Sequence, residues 1–245
     1  MIMLDRWTKI LEHVKKNKFS TVQELMDTFN ISMSTVRRDL VAMDERNLIK
    51  RTRGGAKAIY GKSLNDSVTS SMLIKNKEEK IKIAQKAATL INDNDFIFID
   101  SGTTCYYIID FIVAKNITVV TNGIMQIQKL MEKGIETYIL GGYARPESNL
   151  IVGEDMEKKV SIMNFNVAFL GTLGIDSCGG FKAHALFDAN FKKTVLKASE
   201  KTYVLADKSK FNVRKFYTYA DIPEATVITD SKVNFKDERL KIIYV

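Results

Sequence analysis

The 245-residue chain is poor in the residues that mark several common protein classes. It has two prolines, two cysteines, two histidines and one tryptophan. Cys105 and Cys178 lack zinc-ligand spacing, so we expect both to be reduced thiols in or near the core. His13 and His184 are equally isolated in the sequence. We therefore predict no metal site and no other cofactor.

Long apolar runs are also missing. No stretch reaches the length needed to span a bilayer, and no signal-peptide pattern opens the chain. Hydrophobic residues make up 45% and aromatic residues 9% of the sequence, which is ordinary for a globular protein. We expect a cytoplasmic protein without a membrane partner, long enough for one small and one substantial domain.

The first part of the chain carries the spacing of three amphipathic helices. Three sets of apolar residues recur at helical intervals: Trp7, Ile10, Leu11 and Val14; Val22, Leu25, Met26 and Phe29; and Val36, Leu40 and Met43. Ser20 or Thr21 is placed to cap the second helix, and Ser32 the third. Ser34, Arg37 and Arg38 then fall on the face of the third helix that points away from the core.

A basic hairpin is predicted after the third helix. Two strand-like runs, 48–53 and 56–60, flank Gly54-Gly55, and glycine tolerates the positive φ that a two-residue hairpin loop needs. Three helices and such a hairpin form a winged helix-turn-helix, in which the recognition helix contacts base edges and the wing contacts phosphates. We expect DNA contacts from seven residues: Ser34, Thr35, Arg37, Arg38, Arg51, Arg53 and Lys57.

The distribution of charge favours the same function. Residues 1–60 hold 12 Lys and Arg against 7 Asp and Glu, whereas the other 185 residues hold 25 against 22. An arginine pair alone would be more simply interpreted as a solvated helix face, since charged residues are mostly exposed. A basic excess concentrated in the smaller part of the chain is typical of a DNA-binding unit.

The rest of the chain alternates between strand-like and helix-like segments. Residues 61–76 are polar and without a sustained period, which predicts a linker between domains at 1–60 and 77–245. A helix then begins near Glu78, with Ile81, Ala84, Ala88 and Ile91 on one face. Predicted strands follow at 96–99, 117–120, 137–140, 167–170, 203–206 and 226–228. Predicted helices lie between many of them, at about 104–113, 123–133, 154–163 and 188–199. This alternation predicts an α/β domain, doubly wound around a mostly parallel sheet.

Small and polar residues follow five of these strands: Asp100-Ser101-Gly102-Thr103-Thr104, Thr121-Asn122-Gly123, Gly141-Gly142, Gly171-Thr172-Leu173-Gly174 and Asp207-Lys208-Ser209-Lys210. In open α/β sheets the ligand crevice forms at the carboxyl ends of the strands. Free backbone N–H groups at a helix start attract phosphate, and Lys210 could add a positive charge. Each motif alone is more often a cap, a turn or a surface ion pair, so the shared location carries the prediction.

The helix and hairpin residues resemble a known family signature. Residues 32–40 are Ser-Met-Ser-Thr-Val-Arg-Arg-Asp-Leu, and 53–56 are Arg-Gly-Gly-Ala. With Leu48-Ile49-Lys50-Arg51 between them, they resemble the N-terminal signature of the DeoR family of bacterial transcription regulators. Val36 replaces a common isoleucine, and Thr52-Arg53 replaces a frequent histidine. The resemblance implies that Arg37 and Arg38 contact DNA and that Asp39 has a structural role, such as orienting a neighbouring arginine.

The remainder of the chain is similar to the effector-sensing domain of the same family. The similarity lies at 79–84, 100–104, 119–123, 141–145, 171–176 and 205–211. That domain resembles the sugar-phosphate isomerase fold, which implies a phosphorylated sugar or a related metabolite as effector. The resemblance and the strand-end positions assign the effector to Asp100, Ser101, Gly102, Thr103, Thr104, Thr121, Asn122, Gly141, Gly142, Gly171 and Lys210. Departures from the family pattern concentrate in 185–193, where Lys193 is the candidate pocket residue.

These observations predict a cytoplasmic transcription regulator that represses a carbohydrate operon. It would bind double-stranded operator DNA as a homodimer or homotetramer and respond to a phosphorylated sugar. The competing interpretation is a sugar-phosphate isomerase with an accessory DNA-binding domain, for which Asp100, Asp207 and Lys210 offer acid–base groups. No carboxylate pair has a spacing that secures those roles, so we predict that the chain is not an enzyme. A third interpretation, an architectural DNA-binding protein that senses no ligand, does not account for the predicted cleft.

Overall fold

The structure, a computed structural model, describes residues 3–45, 49–58, 72–145 and 148–245. The chain divides into two compact units, Met1–Ser63 and Leu64–Val245. The predicted linker, 61–76, lies outside the described residues as far as residue 71, as do the ends of the predicted hairpin at residues 48, 59 and 60. Within the described ranges, no helix is long and apolar enough to cross a membrane.

The N-terminal unit contains the three predicted helices, α1 (Met3–Asn17), α2 (Val22–Phe29) and α3 (Met33–Glu45). Their buried side chains form one core, which includes Trp7, Ile10, Val14, Leu25, Val36, Leu40 and Met43. Thr21 rather than Ser20 caps α2, because its hydroxyl accepts from Glu24 N at 3.1 Å while the Glu24 carboxylate accepts from Thr21 N at 2.8 Å. Ser32 Oγ accepts from Thr35 N at 3.3 Å at the start of α3.

The hairpin forms, but its glycines act differently from the prediction. Strands β1 (Phe19–Thr21), β2 (Ile49–Thr52) and β3 (Gly55–Ala58) make an antiparallel sheet in the order β1-β3-β2. Because Thr52 pairs with Gly55, the turn consists of Arg53 and Gly54, and neither Gly54 nor Gly55 has a positive φ. The expected need for positive φ was wrong. Gly55 is required for close approach, since a Cβ there would lie 2.1 Å from the Ser20 carbonyl oxygen.

The C-terminal unit is built on a parallel sheet of seven strands. From one edge to the other they are β15 (Lys241–Tyr244), β14 (Thr226–Thr229), β12 (Ser199–Leu205), β9 (Phe165–Gly171), β4 (Phe96–Ile99), β5 (Thr118–Thr121) and β6 (Glu136–Ile139). The central strands are apolar on both faces because both faces are covered. In β4, for example, Phe98 enters one core layer while Ile97 and Ile99 enter the other.

In the described part of this unit, five helices flank the sheet: α4 (Lys77–Ala88), α5 (Thr103–Phe111), α6 (Ile124–Glu132), α7 (Met156–Ser161) and α8 (Leu186–Lys197). Helices α4 and α5 contribute Ile83, Ala87 and Ile108 to the layer that contains Ile97. On the other side, Val160 of α7 and Val195 of α8 pack in the layer that contains Phe98. The predicted doubly wound α/β architecture is thereby confirmed.

The order of the strands reverses next to β4. The chain continues from β4 through β5 and β6 on one side, whereas β9, β12, β14 and β15 lie on the other. Loops that leave β4 and β9 therefore diverge at the carboxyl edge of the sheet, and a crevice opens between them. The predicted motifs at Asp100 and Gly171 occupy these two loops.

Several short strands were absent from the sequence prediction. A hairpin is formed by β7 (Tyr143–Arg145) and β8 (Leu150–Val152), and a second antiparallel sheet by β10 (Gly174–Asp176), β11 (Gly180–Ala183) and β13 (Tyr217–Ala220). The edge strand β15 was also missed. One cysteine prediction is wrong as well: Cys105 is buried, but Cys178 is exposed.

Candidate DNA interface and effector cleft

Helix α3 presents a polar, positively charged face. Ser34, Arg37 and Arg38 are exposed and Thr35 is half-buried, while Val36 on the opposite side is fully buried. The hydroxyl of Ser32 lies 2.9 Å from both Ser34 Oγ and Thr35 Oγ1, which fixes these side chains at the start of the helix. Guanidinium groups exposed beside hydroxyls can hydrogen-bond both phosphates and base edges.

Asp39 lies on the buried side of α3 and joins it to α1. Its carboxylate accepts from Arg6 Nε at 2.6 Å, from Arg6 Nη2 at 3.0 Å and from Trp7 Nε1 at 3.1 Å. Burial would raise the pKa of Asp39, but the hydrogen bonds from Arg6 and Trp7 outweigh it and leave the pKa below its ordinary value. The structural role expected for Asp39 is therefore present, with Arg6 of the first helix as the arginine that it orients.

The predicted wing residues Arg51, Arg53 and Lys57 are all exposed. Lys50 was missed by the sequence prediction; it pairs directly with Lys57 across β2 and β3, so both ammonium groups lie on one face of the hairpin. The carboxylate of Asp44 accepts from Arg51 N at 3.0 Å and so attaches the end of α3 to the wing. The sequence alone does not give the register of β2 and β3, so it could not show that Lys50 lies opposite Lys57.

In the C-terminal unit, Asp100 connects the two loops that diverge at the reversal of strand order. It is buried, and its Oδ1 accepts from Ser101 N at 2.8 Å while its Oδ2 accepts from Gly171 N at 2.8 Å. Ser101, Gly102 and Thr103 are half-buried at the start of α5, and Thr104 is buried. These residues place backbone N–H groups beside the crevice, as an anion-binding helix start requires.

A lysine that the sequence prediction missed completes this group. Lys192 Nζ is buried, lies 3.3 Å from Asp100 Oδ2 and 3.2 Å from Asp188 Oδ2, and donates to the Gly171 carbonyl at 3.2 Å. Tyr219 of β13 donates to the same carbonyl at 3.3 Å. Lys193, the candidate from the sequence, is exposed, and the lysine that contacts Asp100 and Asp188 is Lys192. The i,i+4 spacing of Asp188 and Lys192 was the available signal.

The pKa values of the ionisable groups around Lys192 depend on burial and on the neighbouring charges. Burial alone would lower the pKa of Lys192, but the carboxylates of Asp100 and Asp188 outweigh it and raise the pKa above its ordinary value. Burial raises the pKa of Asp188, an effect that Lys192 opposes. Burial also raises the pKa of the Tyr219 hydroxyl, so this phenol stays protonated and remains a donor.

A buried amide pair supports the loop that follows β4. Gln126 Nε2 donates to the carbonyls of Asp100 and Gly102 at 3.0 and 3.2 Å, and its Oε1 accepts from Asn149 Nδ2 at 3.0 Å. Gly123 allows this packing, because a Cβ there would lie 2.2 Å from Gln126 Oε1 and 2.9 Å from Ser101 Cα. Neither amide was identified from the sequence, where isolated Gln and Asn carry no pattern.

The other predicted effector residues have separate surroundings. Thr121 is buried and its hydroxyl accepts from Gly123 N at 3.0 Å. Asn122 is buried, and its Oδ1 has no hydrogen-bond partner among the described residues. Gly141 and Gly142 are exposed; Gly142 has a φ of 154°, and a Cβ on it would lie 2.3 Å from the Val152 carbonyl oxygen. Gly142 therefore permits close packing against β8.

Lys210 belongs to a different polar group. It is half-buried beside Asp207, whose Oδ1 accepts from Asn76 Nδ2 at 3.2 Å, and beside the buried Lys80. Burial lowers the pKa of Lys80 to about 8, while Asp207 partly opposes this shift. Within the described part of the chain, no hydrogen bond or ion pair joins Lys210 to Asp100. The predicted effector site therefore contains residues from two separate polar clusters, one around Asp100 and one around Lys210, which lie along the same edge of the sheet.

Comparison with known proteins agrees with this architecture. Residues 6–61 match the DeoR-like helix-turn-helix domain, and residues 75–231 match the DeoR C terminal sensor domain. The chain is 38% identical over 230 residues to the HTH-type transcriptional regulator FruR of Bacillus subtilis, covering 94% of this chain and 91% of that protein. It is 29% identical over 244 residues to the lactose phosphotransferase system repressor of Staphylococcus epidermidis, covering 97% and 96%.

A partial similarity to solved structures is also found. Ribose 5-phosphate isomerase A of Neisseria gonorrhoeae aligns with a TM-score of 0.41 and 21% identity, covering 58% of this chain and 56% of that one. The family assignment does not depend on it, since it follows from the two domain matches and from the relative with 38% identity. The chain belongs to the DeoR family of helix-turn-helix transcription regulators.

Proposed function

We propose that this protein represses a carbohydrate-metabolism operon and that a phosphorylated sugar, bound in the C-terminal cleft, changes its affinity for operator DNA. The protein acts in the cytoplasm as a homodimer or homotetramer, which presents paired recognition helices to repeated half-sites. The observation that carries the DNA-binding assignment is the exposed Arg37-Arg38 pair on a helix whose other face is buried and joined to α1 through Asp39. The relative named a lactose phosphotransferase system repressor supports a repressor of sugar metabolism.

The effector class is supported by the chemistry of the cleft. Backbone N–H groups at the start of α5 favour a phosphate, and neighbouring buried polar side chains favour a hydroxylated ligand. The ligand must bind one arrangement of the protein more tightly than another, because only a difference in affinity can shift operator binding.

The groove-binding assignment predicts a specific change in operator affinity. Arg37→Ala should weaken binding by about 10- to 100-fold and reduce the salt slope of log K by about one, because one charged donor to DNA is lost. Binding is measured by fluorescence anisotropy over a salt series, on an operator fragment selected from random DNA by the full-length protein. Lys159→Ala, which removes an equal charge from an exposed position in α7, is the control. Wild-type affinity and salt slope in Arg37→Ala would contradict the assignment.

The effector class predicts stabilisation by ligand. Addition of the correct phosphorylated sugar at about 100 times its Kd should stabilise the full-length protein by about 2.7 kcal/mol, because the ligand binds only the folded state. Thermal unfolding in the presence of hexose and pentose phosphates, with the unphosphorylated sugars as controls, measures this effect. If no phosphorylated sugar raises the unfolding temperature, the effector class is wrong.

The same samples test the isomerase alternative. Asp100 is committed to Lys192 and to two backbone N–H groups, and Asp207 to Asn76 and Ser209, so neither carboxylate is positioned as a free general base. We therefore propose a sensor that binds without turnover. Formation of the isomeric sugar phosphate, followed by NMR, would favour the enzyme instead.

A further inference from the structure

A cavity adjoins the Asp100–Lys192 group on the side of β8, α7 and α8. It is partly open to solvent and shares Asp188 with that group. Apart from Asn122, its lining residues were not among the predicted effector residues.

The polar side chains of this cavity accept hydrogen bonds. Asn122 is 1% exposed, and its Oδ1 is unpartnered among the described residues. Glu157 is half-buried, and in the described ranges its carboxylate forms no ion pair or hydrogen bond. Asp188 supplies a second carboxylate, held 3.2 Å from Lys192 Nζ. Two carboxylates repel a phosphate but are strong acceptors for hydroxyl groups.

The remaining lining is apolar and includes two aromatic rings. Phe187 and Phe191 line the cavity together with Leu150, Val152 and Met156. The guanidinium carbon of Arg145 lies 5.2 Å from the centre of the Phe187 ring, so a positive charge lies beside this 40%-exposed side chain. An apolar wall opposite hydrogen-bond acceptors suits a sugar, which carries both C–H surface and hydroxyl groups.

We infer that this cavity takes the neutral polyhydroxyl end of the effector and leaves its phosphate outside, so that Asn122, Glu157 and Asp188 determine which sugar is recognised. The inference rests on the proposed function, because it orients the phosphorylated sugar proposed there. It adds a second wall, formed by β8, α7 and α8, to the loops at the carboxyl edge of the sheet.

The test compares Glu157→Leu with Glu154→Leu in the full-length protein. Glu154 is exposed and does not line the cavity, so it is a matched control three residues away. Isothermal titration uses two probes: the hexose phosphate that stabilises the wild type most, and inorganic phosphate. Glu157→Leu should raise the Kd of the hexose phosphate about tenfold or more, because a charged acceptor for a hydroxyl is lost, and should leave the Kd of inorganic phosphate unchanged. Glu154→Leu should change neither.

Phe187→Ala provides a second variant at a side chain exposed enough to be removed without unfolding the protein. It should also weaken hexose phosphate selectively, since part of the apolar wall is lost. Unchanged hexose phosphate affinity in both variants would overturn the inference while leaving the proposed function intact. Tighter binding of inorganic phosphate by Glu157→Leu would overturn it too, because the phosphate would then lie beside this carboxylate. If the wild type binds no phosphorylated sugar, the proposed effector class fails and the inference with it.

Discussion

Replacement of Lys192 by methionine should destabilise the C-terminal unit by about 3–5 kcal/mol at pH 7, the usual cost of removing one partner from a buried ion pair. Lys192 Nζ is the shared partner of Asp100 Oδ2, Asp188 Oδ2 and the Gly171 carbonyl, at 3.3, 3.2 and 3.2 Å. Methionine fills a similar volume but leaves the buried carboxylate of Asp100 and the half-buried carboxylate of Asp188 without this countercharge. Lys193→Met, at the exposed neighbouring position, should cost less than about 0.5 kcal/mol.

The pH dependence of this variant has a defined sign. Without Lys192, nothing on α8 opposes the effect of burial on Asp188, so the pKa of Asp188 should lie further above that of the unfolded chain. A group with a raised folded pKa loses stability as the pH rises through that pKa, so the deficit of Lys192→Met should shrink as the pH falls from 7 towards 5.

Urea unfolding of the two variants can separate the two units. The only tryptophan, Trp7, belongs to the N-terminal unit, so its fluorescence follows the unfolding of that unit. Far-ultraviolet circular dichroism, which follows the whole chain, should show the sheet unfolding at lower urea. Equal midpoints for Lys192→Met and Lys193→Met would refute the buried-pair argument.

The sequence predicts those strands and helices in which burial follows a regular pattern along the chain. Phe96–Ile99 was located at its observed bounds because both faces of β4 are buried and its sequence is a continuous apolar run. Tyr143–Arg145 is three residues long and exposed throughout, so it has neither a run nor an alternation to detect. The pairing of β7 with β8 is a tertiary effect that local patterns do not encode.

Polar residues of the cleft that lie in short sequence motifs were predicted from the sequence. Those whose position depends on tertiary packing were missed. Asp100 and the start of α5 follow a strand directly, so their position at the carboxyl edge could be inferred. Lys192 is one of two adjacent lysines on α8, and the sequence does not state which one faces the sheet. Its burial depends on Asp100, 92 positions earlier, and on Tyr219 of a strand that was not predicted.

Asp39→Ala should destabilise the N-terminal unit by about 3 kcal/mol and thereby abolish most operator binding, although Asp39 does not lie on the exposed face of α3. The carboxylate is 3% exposed and accepts from Arg6 and Trp7, so its removal leaves a charged and a neutral donor without this acceptor. A unit of about 60 residues has a free energy of unfolding of only about 3–9 kcal/mol, so a loss of this size unfolds much of the population.

The lowered pKa of Asp39 gives this prediction a second readout. A carboxyl group with a lowered folded pKa contributes stability above its unfolded pKa of about 4, and that contribution is lost as the pH falls through the folded value. Wild-type protein should therefore lose stability in its N-terminal unit below about pH 4, whereas Asp39→Ala should lack this component.

Trp7 fluorescence in urea reports the transition directly, because Trp7 donates to Asp39. Asp27→Ala, at an exposed position of α2, should leave both the midpoint and its pH dependence unchanged. A midpoint for Asp39→Ala equal to that of Asp27→Ala would mean that the contact between α1 and α3 does not stabilise the recognition helix.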